Sequence, residues 1–215
     1  MAKLKAILFD LDGTLRDTRE LIYSALDHAF TELGLPSPTV EELAPYVHHH
    51  SFVHKQFAPD VTLEDFEQVY GAKVEQMLPG VQLYEQAAET LEQLQAAGYK
   101  LAIVTAARSA PQGVQDHGID TYLSTLVSAR DITKHKPDPE GTKLALERLH
   151  VAPEEAIMVG DMPTDTQAGQ AAGLLATVGV THGLGSKEAL QAAGTDYIIG
   201  SLGELPAVIK KIEQK

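Results

Sequence analysis

The sequence predicts an α/β protein: a parallel sheet covered by helices on both faces, with a purely helical segment set into it. Two observations carry this. Apolar runs of strand length alternate with helix-periodic stretches along most of the chain, the pattern of parallel strands joined by helical crossovers. From about residue 17 to residue 77 that alternation stops, and the stretch reads as helices with no convincing strand between them.

Taken in order, the predicted strands are residues 6–9, 100–104, 126–128, 156–159, 175–178 and 197–199. Helices are predicted over 87–97, 139–149, 164–172 and 187–193, several of them closed by a glycine such as Gly173. This is the pattern of a Rossmann-like core in three α/β/α layers. The insertion is entered at Asp17-Thr18, good helix N-caps, and left at the turn-forming Leu78-Pro79-Gly80. The expected division is therefore a core of residues 1–15 and 80–215, with a helical cap over 16–79.

Composition narrows the function. A chain of 215 residues with 44% hydrophobic and 22% charged residues suits one folded domain carrying a small insertion. The net charge of -13 repels nucleic acid and anionic membranes, so neither is an expected partner. A phosphorylated metabolite handled by so acidic a protein needs positive charge at the place of reaction, from a metal or a few basic side chains. There is no cysteine, which excludes disulfides, thiolate metal sites and a cysteine nucleophile, and agrees with a cytoplasmic location. The apolar stretch after Lys3 and Lys5 is cut by Asp10 and Asp12, too soon for a signal peptide or membrane span. A monomer or homodimer is expected.

The strongest signal is an apolar strand running into Asp10-Leu11-Asp12-Gly13-Thr14. At background frequencies the fixed positions of D-x-D-G-T arise by chance in about one such chain in several hundred. Three more polar groups stand at the carboxyl ends of other predicted strands, where ligands bind in open parallel sheets. Thr105 follows the second strand, Lys136 opens Lys136-Pro137-Asp138-Pro139, and Asp161 and Asp165 follow Gly160. Each alone reads as a cap, a turn or a solvated residue. Together they form one site.

These residues resemble the motifs of the haloacid dehalogenase superfamily, and the resemblance covers nearly the whole chain. The insertion looks like the small helical cap of its phosphoglycolate phosphatase-like and β-phosphoglucomutase-like members. The resemblance implies a magnesium-dependent phosphatase acting on a small phosphomonoester. Asp10 would attack phosphorus and form an aspartyl-phosphate. Asp12 would give the leaving oxygen a proton and later take one from water. Mg2+ would be held by Asp10, the Asp12 carbonyl and Asp161, with Asp165 supporting them from behind. Thr105 and Lys136 would bind the transferring phosphoryl group, with Gly13, Thr14, Ala106, Arg108 and His49 as candidate substrate contacts.

Other readings stay open within the resemblance. A dehalogenase needs no acid at position 12, so that activity is not expected here. A phosphonatase needs a desolvated cap lysine, and neither Lys55 nor Lys73 is marked as one. Thr105 is followed by Ala106 where phosphoglycolate phosphatase-like relatives commonly have asparagine. Arg108 reads either as a substrate contact or as a solvated residue at a loop-to-helix junction. His48, His49, His50 and His54 read first as solvated or packed, then as a specificity loop, and last as a metal site. A β-phosphoglucomutase-type phosphotransferase or a pyrophosphatase shares the same core residues. A low-turnover binding protein that keeps the fold is the alternative from another class.

Overall fold

The computed structural model describes residues 3–47 and 49–214. In chain order its elements are β1 (Ala6–Phe9), β2 (Arg16–Asp17), α1 (Arg19–Glu32), α2 (Val40–Leu43), α3 (His50–Phe57), α4 (Leu63–Met77), β3 (Gln82–Leu83), α5 (Ala87–Ala96), β4 (Lys100–Val104), α6 (Ala110–Asp116), β5 (Thr125–Val127), α7 (Glu140–Leu149), β6 (Ala156–Gly160), α8 (Pro163–Ala172), β7 (Ala176–Val180), α9 (Lys187–Ala192), β8 (Tyr197–Ile199) and α10 (Leu205–Glu213).

Six strands form one parallel sheet in the order β5-β4-β1-β6-β7-β8. Its topology decides where a ligand can sit. From β1 the chain moves outward through β4 and β5, then returns to the other side of β1 and moves outward again through β6, β7 and β8. The direction reverses at β1, so the crevice of this sheet opens at the carboxyl ends of β1, β4 and β6.

The central strands are almost wholly apolar because both faces are covered. Alternate residues supply the two faces, as the pleat requires. Ile7, Phe9, Leu101, Ile103, Ile157 and Val159 join one buried cluster, which also takes in α5 and α10. Ala6, Leu8, Ala102, Val104, Ala156 and Met158 join the other, beneath α7.

The chain divides into two compact units, residues 1–16 with 83–215, and residues 17–82. The inserted unit is helical. Its α1 packs on α4, with Phe30 and Phe66 meeting edge to face at 5.7 Å. The short strands β2 and β3 pair with each other where the chain enters and leaves this unit.

The six predicted strands of the core are all present, with small shifts at β5 and β7. Two helices were not predicted. α10 carries a clear stripe of Leu205, Val208, Ile209 and Ile212, all buried. α6 is short and contains Pro111 and Gly113, so it has almost no periodic signal.

Leu8 has no exposed surface and sits in the central strand. Leu8→Ala is expected to cost about 2–5 kcal/mol, the range for emptying a buried leucine site, read from the shift in a denaturant midpoint. A change below about 0.5 kcal/mol would contradict this packing.

Candidate active site

The polar groups at the strand ends are built from the backbone outward. Asp10 lies one residue past β1, and its N–H donates to the Val159 carbonyl at 2.9 Å, so the ladder holds it in line with β6. Asp161 directly follows β6, and Asp165 is the third residue of α8. One carboxylate oxygen from each of Asp10, Asp161 and Asp165 lies within 4.8 Å of the others. The Lys136 Nζ stands among them, donating to Asp10 Oδ1 at 2.7 Å, to Asp165 Oδ1 at 2.5 Å and to the Val104 carbonyl at 3.1 Å. All three hydrogens of the ammonium have an acceptor.

The remaining oxygens differ in a useful way. Asp161 Oδ1 accepts the Thr14 hydroxyl at 2.9 Å, and its Oδ2 accepts the Leu184 N–H at 2.8 Å. Asp165 Oδ2 accepts the Met162 N–H at 2.9 Å, satisfying a free donor at the start of α8. Asp10 Oδ2 takes no hydrogen bond among the described residues.

Burial then sets the electrostatics. Burial pushes the Asp10 carboxyl well above its usual range, against the pull of Lys136 and helped by the charges of Asp165 and Asp161. Burial, then Asp165, pushes Asp161 up to about 7. Burial also disfavours the Lys136 ammonium, yet Asp10 and Asp165 together outweigh it and hold the ammonium charged above its ordinary value. Three carboxyls share one ammonium. This excess of hard oxygen donors and buried negative charge suits a divalent cation such as magnesium.

The loop after β7 completes the cluster and was not predicted. Gly183 packs so closely that a Cβ there would overlap the Asp161 carboxylate and the Gly13 carbonyl. His182 Nε2 meets the Thr14 carbonyl at 3.0 Å, and the Tyr84 hydroxyl donates to the His182 carbonyl at 3.1 Å. The signal in the sequence was Thr181-His182-Gly183-Leu184-Gly185, two glycines just past a strand.

The other predicted site residues separate into groups. Gly13 has φ +86°, and a Cβ there would overlap Asp161, so glycine is required twice over. Thr14 is fully buried with its hydroxyl spent on Asp161. Thr105 is buried, and its Oγ1 accepts the Ala107 N–H at 3.1 Å, which leaves its own hydrogen to donate. Ala106 is half-buried beside it, and Arg108 is exposed before α6. The Asp12 carboxylate stands apart from the three clustered carboxyls, turned to Arg16, a residue the sequence reading did not single out.

The histidine run belongs to the inserted unit. His49 caps α3, with its Nδ1 at 2.7 Å from Ser51 Oγ, and its ring stacks on His50. His50 pairs with Glu67 at 2.8 Å, and His54 Nε2 bonds the Val61 carbonyl. His48 lies outside the described residues. No histidine belongs to a metal-like cluster among the described residues.

An open parallel sheet with an acidic, lysine-bridged cluster at its reversal point is the framework of an α/β enzyme whose site suits a hard cation. The chain belongs to the haloacid dehalogenase-like hydrolase family, which matches residues 7–179. It is 34% identical over 217 residues to the pyrophosphatase PpaX of Bacillus velezensis, covering 94% of this chain and 95% of that one. It is 30% identical to a phosphoglycolate phosphatase of Vibrio parahaemolyticus, with 96% of both chains covered. A haloacid dehalogenase-like hydrolase from Streptococcus pneumoniae superposes with a TM-score of 0.83 at 26% identity, over 95% of this chain and 98% of that one.

The raised Asp161 carboxyl gives a pH prediction. Its proton is held by the fold between the ordinary carboxyl value and about 7, so its contribution to stability is full below about pH 4 and is lost as pH rises through about 7. In chelator, the denaturant midpoint should fall between about pH 5 and about pH 8, and Asp161→Asn should flatten that slope. A slope unchanged in Asp161→Asn contradicts the assignment.

Proposed function

We propose that this hydrolase is a magnesium-dependent phosphatase that cleaves a small phosphomonoester through an aspartyl-phosphate at Asp10. The observation that carries the reading is the free oxygen of Asp10. Among the three clustered carboxyls it alone presents an oxygen with no hydrogen bond, at the point where the sheet reverses. An unencumbered carboxylate oxygen beside an ammonium is what attack on phosphorus requires.

Magnesium would be held by the carboxylates of Asp10 and Asp161 and the Asp12 carbonyl, with Asp165 behind them. Bound there, it would offset the repulsion between an anionic nucleophile and an anionic ester. Asp10 Oδ2 attacks phosphorus as the ester P–O bond breaks, and Asp12 gives its proton to the leaving oxygen. Water then attacks the phosphorus of the aspartyl-phosphate and gives a proton to Asp12. Inorganic phosphate leaves and Asp10 is restored. Thr105 donates its hydroxyl hydrogen to a phosphoryl oxygen. Lys136 binds one as well by giving up an acceptor, most cheaply the neutral Val104 carbonyl.

The inserted unit is proposed to act as a cap that excludes water and selects the substrate. Its place between β1 and β4 in the chain supports this, because both strands end at the crevice. His49 at the start of α3 is a candidate specificity residue. A cytoplasmic location fits the reading, since the chain has no cysteine and no described helix is long and apolar enough to cross a membrane.

Inorganic pyrophosphate is the second substrate to weigh, since the relatives named PpaX are called pyrophosphatases. A phosphate-release screen over phosphoglycolate, sugar phosphates and pyrophosphate, with magnesium and with chelator, separates these readings. Turnover should require the metal and return on its addition; full activity in excess chelator would overturn the metal role. Asp10→Asn should reduce turnover by more than about a thousandfold, because an amide does not replace the nucleophile. Retention of even about a tenth of wild-type turnover would sink the assignment.

A further inference from the structure

We infer that Arg16 is a positioning residue that fixes the Asp12 carboxylate and selects which of its two oxygens exchanges the proton. The inference rests on the reading of Asp12 as the proton donor and acceptor.

Arg16 is the largest side chain that is almost fully buried, at 2% exposure. Its Nε and Nη2 both donate to Asp12 Oδ1, at 3.0 and 2.6 Å. No bond reaches Asp12 Oδ2 among the described residues. The loop between them is closed by its backbone: Gly13 N–H donates to the Arg16 carbonyl at 2.8 Å, and Arg16 N–H to the Leu11 carbonyl at 2.9 Å. On its other side the guanidinium lies against α6, so close to Gly113 that a Cβ there would overlap Nη1. Arg16 is held from two directions and can meet Asp12 in one way.

Stability alone is a poor reason for this arrangement. The pair is largely buried, with the Asp12 side chain 23% exposed, and in such a pair the cost of desolvating the guanidinium, several kcal/mol, offsets much or all of the attraction. An apolar side chain of the same length would fill the space at no such cost. The geometry has a clear chemical use instead. An oxygen that already accepts two N–H donors is the wrong place for a proton, so the acid form of Asp12 carries its hydrogen on Oδ2. Two converging bonds on Oδ1 also fix the rotation of the carboxyl group, which aims Oδ2 in one direction. Proton transfer depends on such aim, and a misplacement of about 1 Å costs about a hundredfold.

The effect should therefore depend on the leaving group. In Arg16→Met, hydrolysis of an alkyl phosphate should fall by about tenfold to a hundredfold. Release of phenolate from nitrophenyl phosphate in the first turnover should change by less than about threefold, because that leaving group hardly needs a proton. Gly113→Ala is a second variant that leaves Arg16 chemically intact. It favours the helix but displaces Nη1, and it should give the same selective loss in smaller measure.

Asp12→Asn supplies the reference. Adding Arg16→Met to it should cost nothing further, since Arg16 acts only through Asp12. If Arg16→Met slows alkyl and aryl esters by one factor, or costs its full factor in the Asp12→Asn background, the positioning role is overturned. If Arg16→Met fails to fold, Gly113→Ala decides by the same comparison. If Asp12→Asn itself shows no dependence on the leaving group, the acid and base reading of Asp12 fails, and this inference fails with it.

Discussion

One buried ammonium among three carboxyls is the constraint on which the rest of this site depends. Lys136 can satisfy only one unit of negative charge, and it divides its bonds between Asp10 and Asp165. Asp161 is left to neutral donors, the Thr14 hydroxyl and the Leu184 amide. Burial raises both carboxyls, Asp161 to about 7, and neither the Lys136 ammonium at Asp10 nor the two neutral donors at Asp161 offset it. The site is therefore strained electrostatically in a way that a hard cation relieves, and the same imbalance leaves Asp10 with a free oxygen.

The sheet makes this arrangement possible. The chain reverses direction at β1, so the loops after β1, β4 and β6 converge on one crevice without crossing. Register places Asp10 beside the end of β6, and Asp161 follows that strand directly. Asp161 is then fixed by the Thr14 hydroxyl and the Leu184 N–H from two other segments, while Lys136 ties Asp10 to Asp165 across the crevice.

Arg16 and His182 show how the surrounding structure refines what the motif provides. Arg16 reaches Asp12 from within the same tight loop while α6 holds it from behind. His182 ties the loop after β7 to the Thr14 carbonyl, next to the hydroxyl that holds Asp161. Neither residue belongs to the clustered carboxyls. Both limit the freedom of groups that have to be aimed.

The parallel sheet was legible in the chain, because strands covered on both faces read as short, mostly apolar runs rather than as alternating ones. The first motif and its companions were legible as well, since Asp10 and Asp161 stand just past such runs, Asp165 lies in the helix that follows and Lys136 in the loop before α7, and the structure brings these four together. α10 was legible too, from the spacing of Leu205, Val208, Ile209 and Ile212, although it was not predicted. α6 was not legible, because seven residues with a proline and a glycine carry no period. Only the tertiary structure decided that Thr14 faces Asp161, that Gly183 approaches the same carboxylate, and that Arg16 is buried on Asp12. The physical reason is distance along the chain: a motif records what neighbouring residues must be, while a bond between residues 14 and 161 exists only once the sheet has set β1 against β6.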